Sequence, residues 1–131
     1  MKITLTPQES EEYFYLALCN AVGTGYIQSY GIDIKTKKIE YEAARDTLKS
    51  KGNSPCYEDV LMQILRDKGT LKLKDIEGEG SMDAEITLND VHERVQQTPL
   101  THLVAMISET DDAETADAII QTVFYKEIVF G

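Results

Sequence analysis

Hydrophobic and polar positions follow two rhythms along this chain, and each change of rhythm marks an element. Lys2-Ile3-Thr4-Leu5 alternates in twos and reads as a short strand. Thr6 then offers a helix cap, Pro7 the first helical position and Glu9 the return half of a capping box, which predicts a helix over 7–22. Its centre, Tyr13 to Cys19, is apolar or aromatic almost all round, the pattern of a helix covered on most sides and so of the central helix of the core. Gly23-Thr24-Gly25 ends it, and 26–34 reads as a strand with Tyr26, Tyr30, Ile32 and Ile34 on one face.

Lys35 to Lys38 is a polar turn. Beyond it Tyr41, Ala44 and Leu48, three and four apart, predict a helix to about Lys51 with Gly52 as its stop. All three prolines follow Ser or Thr just before an apolar helical pattern, so Ser54 reads as a cap, Pro55 as the first helical residue and Cys56 as first-turn, with the helix running through Val60, Leu61, Ile64 and Leu65 to Gly69. Leu71 to Lys74 and Met82 to Leu88 alternate on either side of Glu77-Gly78-Glu79-Gly80-Ser81, which predicts a hairpin. Helices follow over 89–97, 99–108 and 112–124. Leu100, Leu103, Val104 and Ile107 form the apolar stripe of the second, and Asp111 with Glu114 a capping-box start for the third. Glu127-Ile128-Val129-Phe130 reads as a closing strand whose edge either packs on its own core or pairs with a second copy, so a homo-oligomer is one expected form. Together these elements give a single α+β domain over 1–131, with about five or six helices packed on a small, mainly antiparallel sheet.

Composition changes this picture little; charge changes it more. With 42% hydrophobic and 27% charged residues the chain is globular, and no apolar run approaches the roughly 20 residues of a membrane span. The start lacks the features of a signal peptide, so a cytoplasmic setting is expected, with Cys19 and Cys56 as free thiols. Residues 1–74 hold 10 acidic and 11 basic side chains, whereas 75–131 hold 13 acidic and 2 basic. Between Asp75 and Tyr125 the one basic residue is Arg94. Such a half repels nucleic-acid phosphates and attracts basic surfaces. Direct nucleic-acid binding is therefore not expected, and only the lysines at 35, 37, 38, 49 and 51 offer a small basic patch.

Candidate chemistry is sparse. Cys56 near a helix start sits where the dipole favours thiolate, but a nucleophile also needs a base such as His92 or His102 and a group to orient it. Asp75 to Ile86 carries acids at the first, third, fifth and ninth positions of a calcium loop and Gly at the sixth. It has Ile86 where the bidentate acid belongs, and strands where such a loop has helices. His92 and His102 lack metal-ligand spacing, and Gly23-Thr24-Gly25 follows a helix rather than a strand, unlike a phosphate loop. No catalytic residue, metal or cofactor is expected on these grounds.

Two classes of function remain. The first is a non-catalytic binding protein whose acidic half, through Glu77, Glu79, Asp83, Glu85, Asp111, Asp112, Glu114 and Asp117, engages a basic protein surface. The second is a pocket protein that sequesters a nucleotide-type ligand through Tyr26, Tyr30, Arg45, Lys49, Cys56, Tyr57 and Arg66, with a small enzyme using Cys56 as a variant. The segments "PCYEDVLMQILRDKG" and "DDAETADAIIQTVFYKEIVFG" resemble small accessory proteins encoded by phages of gut bacteria. That resemblance carries no defining motif and no functional residue. It implies a dispensable phage product acting in the host cytoplasm, of the kind that inhibits a host defence protein or sequesters a nucleotide signal.

Overall fold

The sheet forms where alternation places aliphatic side chains on one face. Ile32 and Ile34 of β1 (Ile32–Lys35), Leu71 and Leu73 of β2 (Leu71–Asp75) and Ile86 of β3 (Ala84–Ile86) are all buried. The strands pair antiparallel in the order β1-β2-β3, with Ile34 opposite Leu73 and Leu71 opposite Ile86. Charged neighbours meet on the other face, Asp33 opposite Lys74 and Lys72 opposite Glu85. The computed structural model describes residues 3–76, 80, 82–110 and 112–130. The tip of the expected β2–β3 hairpin, 77–79 and 81, lies outside them.

Six helices pack on this sheet among the described residues: α1 (Pro7–Ala21), α2 (Lys38–Ser50), α3 (Tyr57–Arg66), α4 (Leu88–Arg94), α5 (Leu100–Ile107) and α6 (Ala113–Tyr125). The expected α+β class is therefore what the chain adopts. α1 starts as its sequence dictates: Thr6 Oγ1 accepts from Glu9 N at 3.1 Å, and Glu9 Oε1 accepts from Thr6 N at 2.9 Å. The central helix, however, is α6 rather than α1. Ten consecutive residues, Thr115 to Phe124, are buried on every side of α6, whereas α1 buries one stripe, Ser10, Phe14, Ala17, Leu18 and Ala21, and leaves Leu16 37% exposed. The two helices make the most extensive pairing of the fold, with the Phe14 and Phe124 rings 6.5 Å apart.

Several local expectations are corrected. Ile3 to Leu5 form no strand; the Leu5 N–H goes instead to the Gln96 side chain at 3.0 Å. Residues 27–30 are a 3-10 turn rather than strand, because Gly31 at φ +80° reverses the chain before β1 begins. Cys56, not Ser54, occupies the cap of α3, so Pro55 precedes the helix; Asp59, three residues on, accepts the Cys56 N–H at 3.2 Å. Asp112 alone caps α6, accepting from Thr115 N at 3.0 Å, and Asp111 lies outside the described residues. On α5 the buried residues are Leu103 and Met106, while Leu100, Val104 and Ile107 stand 41 to 48% exposed.

The end of the chain also departs from the expected strand. Lys126 at φ +67° turns the backbone out of α6, and residues 127–130 run back along that helix without a ladder partner. The buried Gln121 side chain substitutes for one. Its Oε1 accepts from Val129 N at 2.7 Å and Phe130 N at 2.8 Å, and its Nε2 donates to Phe130 O at 3.1 Å. Phe130 then stacks on Tyr30 with centroids 4.8 Å apart and planes within 10°.

Candidate functional site

The acids expected to form one face are put to different uses. Glu77, Glu79 and Asp111 lie outside the described residues. Asp83 is spent within the sheet, accepting from Asp75 N at 2.7 Å and pairing with Lys72 at 3.6 Å. Glu85 projects from the charged face of the sheet opposite Lys72, away from α6. Asp112 holds the cap of α6 while exposed, and the Thr115 N–H keeps its carboxyl below the usual range. Glu114 is exposed beside it. Arg94, the one basic residue between Asp75 and Tyr125, points inward, donating to Val123 O at 2.8 Å and bridging Asp90 at 3.1 Å.

Asp117 corrects the expectation of a surface acid. It is 5% exposed, one turn beyond Glu114, with Tyr30 and the returning chain end against that side of α6. Its Oδ2 accepts from the Tyr30 hydroxyl at 3.0 Å and from Gln121 Nε2 at 2.9 Å. Its Oδ1 is buried and has no hydrogen-bond partner among the described residues. Burial pushes the Asp117 carboxyl up and the nearby Glu114 charge adds to this, against the opposing pull of Gln121, Tyr30 and His102.

That carboxylate lines a cavity of about 170 Å³. Tyr26, Tyr30 and Phe130 supply aromatic walls, with the Tyr26 ring edge-on to Tyr30 at 6.0 Å; His102 of α5 and the exposed Glu114 complete the lining. His102 is oriented by Thr115, Nδ1 to Oγ1 at 3.4 Å. Chemically the cavity offers two carboxylates and three aromatic rings.

A second, larger cleft of about 470 Å³ lies between α1 and α3, lined by Tyr15, Asn53, Ser54, Asp59 and Arg66 among others. Glu11, Tyr15 and Cys19 fall on one edge of α1 at spacings of four. The Tyr15 hydroxyl donates to Asp59 Oδ1 at 2.8 Å and stands 3.9 Å from Cys56 Sγ. Burial pushes the Asp59 carboxyl up, but the Tyr15 hydroxyl and the Cys56 N–H outweigh it and hold the carboxyl below its ordinary value. Glu11 behaves likewise, its burial outweighed by His92 at 3.0 Å and by Arg66 at 3.0 Å.

The expected ligand pocket is divided among places. Tyr26 and Tyr30 line the small cavity and Arg66 the large cleft, while Tyr57 packs its ring against Tyr41 at 6.2 Å and Arg45 lies beside Asp46 at 3.6 Å. Lys49 stands in the last turn of α2, outside both linings. The candidate bases for Cys56 are engaged elsewhere, His92 by Glu11 and His102 by Thr115. His102, named in the sequence as a candidate base for Cys56, joins Tyr26 and Tyr30 in the small cavity instead, whereas Phe130 and Gln121, which line or support it, had no signal in the sequence beyond being an aromatic residue at the chain end and a polar one on a helix. Among the described residues no cluster of three or more His, Cys, Asp or Glu could hold a metal ion, and no helix is long and apolar enough to cross a membrane. Comparison with protein-family models, with curated proteins and with solved structures gives no match to this chain.

Proposed function

We propose that the protein acts by binding, presenting the start of α6 and the outer face of α5 to a basic, partly apolar protein surface. The observation that carries this reading is the exposed stripe Leu100, Val104 and Ile107, followed by Glu109 and Asp112 in the loop after α5 and by Glu114 in the first turn of α6. An apolar strip bordered by acids buries its aliphatic surface against a partner while the acids select that partner's sign of charge. The inward turn of Arg94 supports the reading, since it leaves those acids unneutralised from within. The resemblance to phage accessory proteins adds the class of partner, a host defence protein, and the whole reading makes the molecule an inhibitor by occupancy.

The alternative, sequestration of a nucleotide-type ligand, draws on the α1–α3 cleft, whose volume suits a small molecule. The electrostatics there disfavour it, because Arg66 is held by Glu11 and the readily ionised Asp59 faces the same space. Native mass spectrometry of the protein purified from the cell that makes it separates the two. A basic chain should co-purify, and should be lost from the Glu109→Lys/Glu114→Lys variant at low salt. A basic chain retained by that variant, or a nucleotide-sized mass retained by the wild type, overturns the reading.

A further inference from the structure

We propose that the cavity between α6, the Ile27–Tyr30 turn and the chain end is a seat for one alkylammonium group, that of a lysine side chain on the partner. This rests on the partner surface being basic, as argued above, and assigns that charge a place. Four observations converge on it. Asp117 is buried with one carboxylate oxygen unmatched among the described residues, an arrangement that costs free energy in the ionised form and that a positive group would relieve. The other oxygen is fixed by Tyr30 and Gln121, so the carboxylate is held in one orientation before any ligand binds. The walls include the aromatic residues Tyr26, Tyr30 and Phe130, and aromatic surroundings favour a cation. The exposed Glu114 stands at the lining as a second negative charge on the approach.

Size narrows the ligand. At about 30 Å³ per water-sized group, a cavity of about 170 Å³ takes a chain of roughly five or six heavy atoms. A butylammonium tail fits that count, and a nucleotide does not. Because Asp117 as a whole is 5% exposed, its attraction for a cation in the cavity is weakly screened. The His102 ring, with Nδ1 3.4 Å from Thr115 Oγ1, adds a polar wall.

The test is a titration of the whole protein with n-butylammonium chloride, followed by two-dimensional NMR, with n-butanol and sodium butyrate as matched neutral and anionic probes. Butylammonium should shift the resonances of Tyr30, Asp117 and Phe130 saturably, and neither matched probe should do so. Asp117→Asn keeps an acceptor for Tyr30 and Gln121 while removing the charge, and should weaken binding at least tenfold with an otherwise native spectrum. Equal shifts from butanol, shifts that persist in Asp117→Asn, or no saturable shift with butylammonium would each overturn the seat. The partner reading is tested separately by Glu109→Lys, at a residue outside the cavity lining: a basic chain retained by that variant at low salt overturns the partner reading and leaves the seat standing.

Discussion

Replacing Gln121 with leucine removes a side chain of similar size and all of its hydrogen bonds. Four are lost: two accepted from Val129 and Phe130, and two donated to Asp117 and Phe130. At about 1 kcal/mol net for each, the cost with the chain end held in place is about 4 kcal/mol, before any penalty for stranded N–H groups. The end has a cheaper escape, because residues 127–130 can move into water and satisfy their backbone there. That route forfeits the half-buried Phe130 ring, about 1 kcal/mol, its stacking on Tyr30, also about 1 kcal/mol, and the Gln121 bond to Asp117, about 1 kcal/mol. The smaller figure governs, so Gln121→Leu should destabilise by about 3 kcal/mol. Urea unfolding followed by far-UV circular dichroism reads this as a midpoint lowered by about 1.5 M for an m value of about 2 kcal/mol/M. If the end detaches, Phe130→Ala should add little in the Gln121→Leu background although it costs about 2 kcal/mol alone. A Gln121→Leu change within about 0.5 kcal/mol of wild type, or additive costs in the double variant, would refute the clamp.

Other consequences are as direct. Asp117 has a folded-state pKa raised above its unfolded value, so the folded state binds the extra proton and loses stability as pH rises from about 3.8 through the folded value. The groups facing it are Tyr30, Gln121, Glu114 and His102. Asp117→Asn should therefore be more stable than wild type near neutral pH, with the gap closing as pH falls through that window; a less stable variant in thermal melts at pH 7 would count against burial as the dominant cause. Gly23→Ala should be harmful despite an ordinary φ, because its Cβ would stand 2.6 Å from the Cys19 carbonyl oxygen and 2.8 Å from Glu58 Oε1. A cost of about 1–3 kcal/mol, or roughly 4–11 °C in Tm, is expected, and a rise in Tm would show that the α1 to α3 approach is looser than described.

What the sequence made legible was local. The Thr6-Pro7-Gln8-Glu9 start, the alternation in β2 and the aliphatic spacing of α3 each depend on neighbours within a few residues, and each appears where expected. What it concealed was mutual cover. Glu114, Asp117 and Gln121, at spacings of three and four, look like the wet side of α6, and nothing local reveals that Tyr30 and Phe130 lie over the last two. The reverse error occurred on α5. Leu100, Val104 and Ile107 have the spacing of a core stripe, but α6 takes up only the side carrying Leu103 and Met106. Both errors bear on the proposed function, since a polar residue placed inside and an apolar stripe left outside are the two features on which the proposed binding surface rests.

The pairing of α1 with α6 has a consequence for the order of events during synthesis. These helices are separated by about a hundred residues of chain, so Phe14, Ala17, Leu18 and Ala21 emerge from the ribosome long before Ile119, Ile120 and Val123 exist to cover them. At ordinary elongation rates of about 5–20 residues per second, that apolar stripe waits several seconds without its partner. The centre of the domain therefore closes only once α6 has emerged, and a chain stopped short of α6 presents the α6-facing side of α1 uncovered to chaperones and proteases.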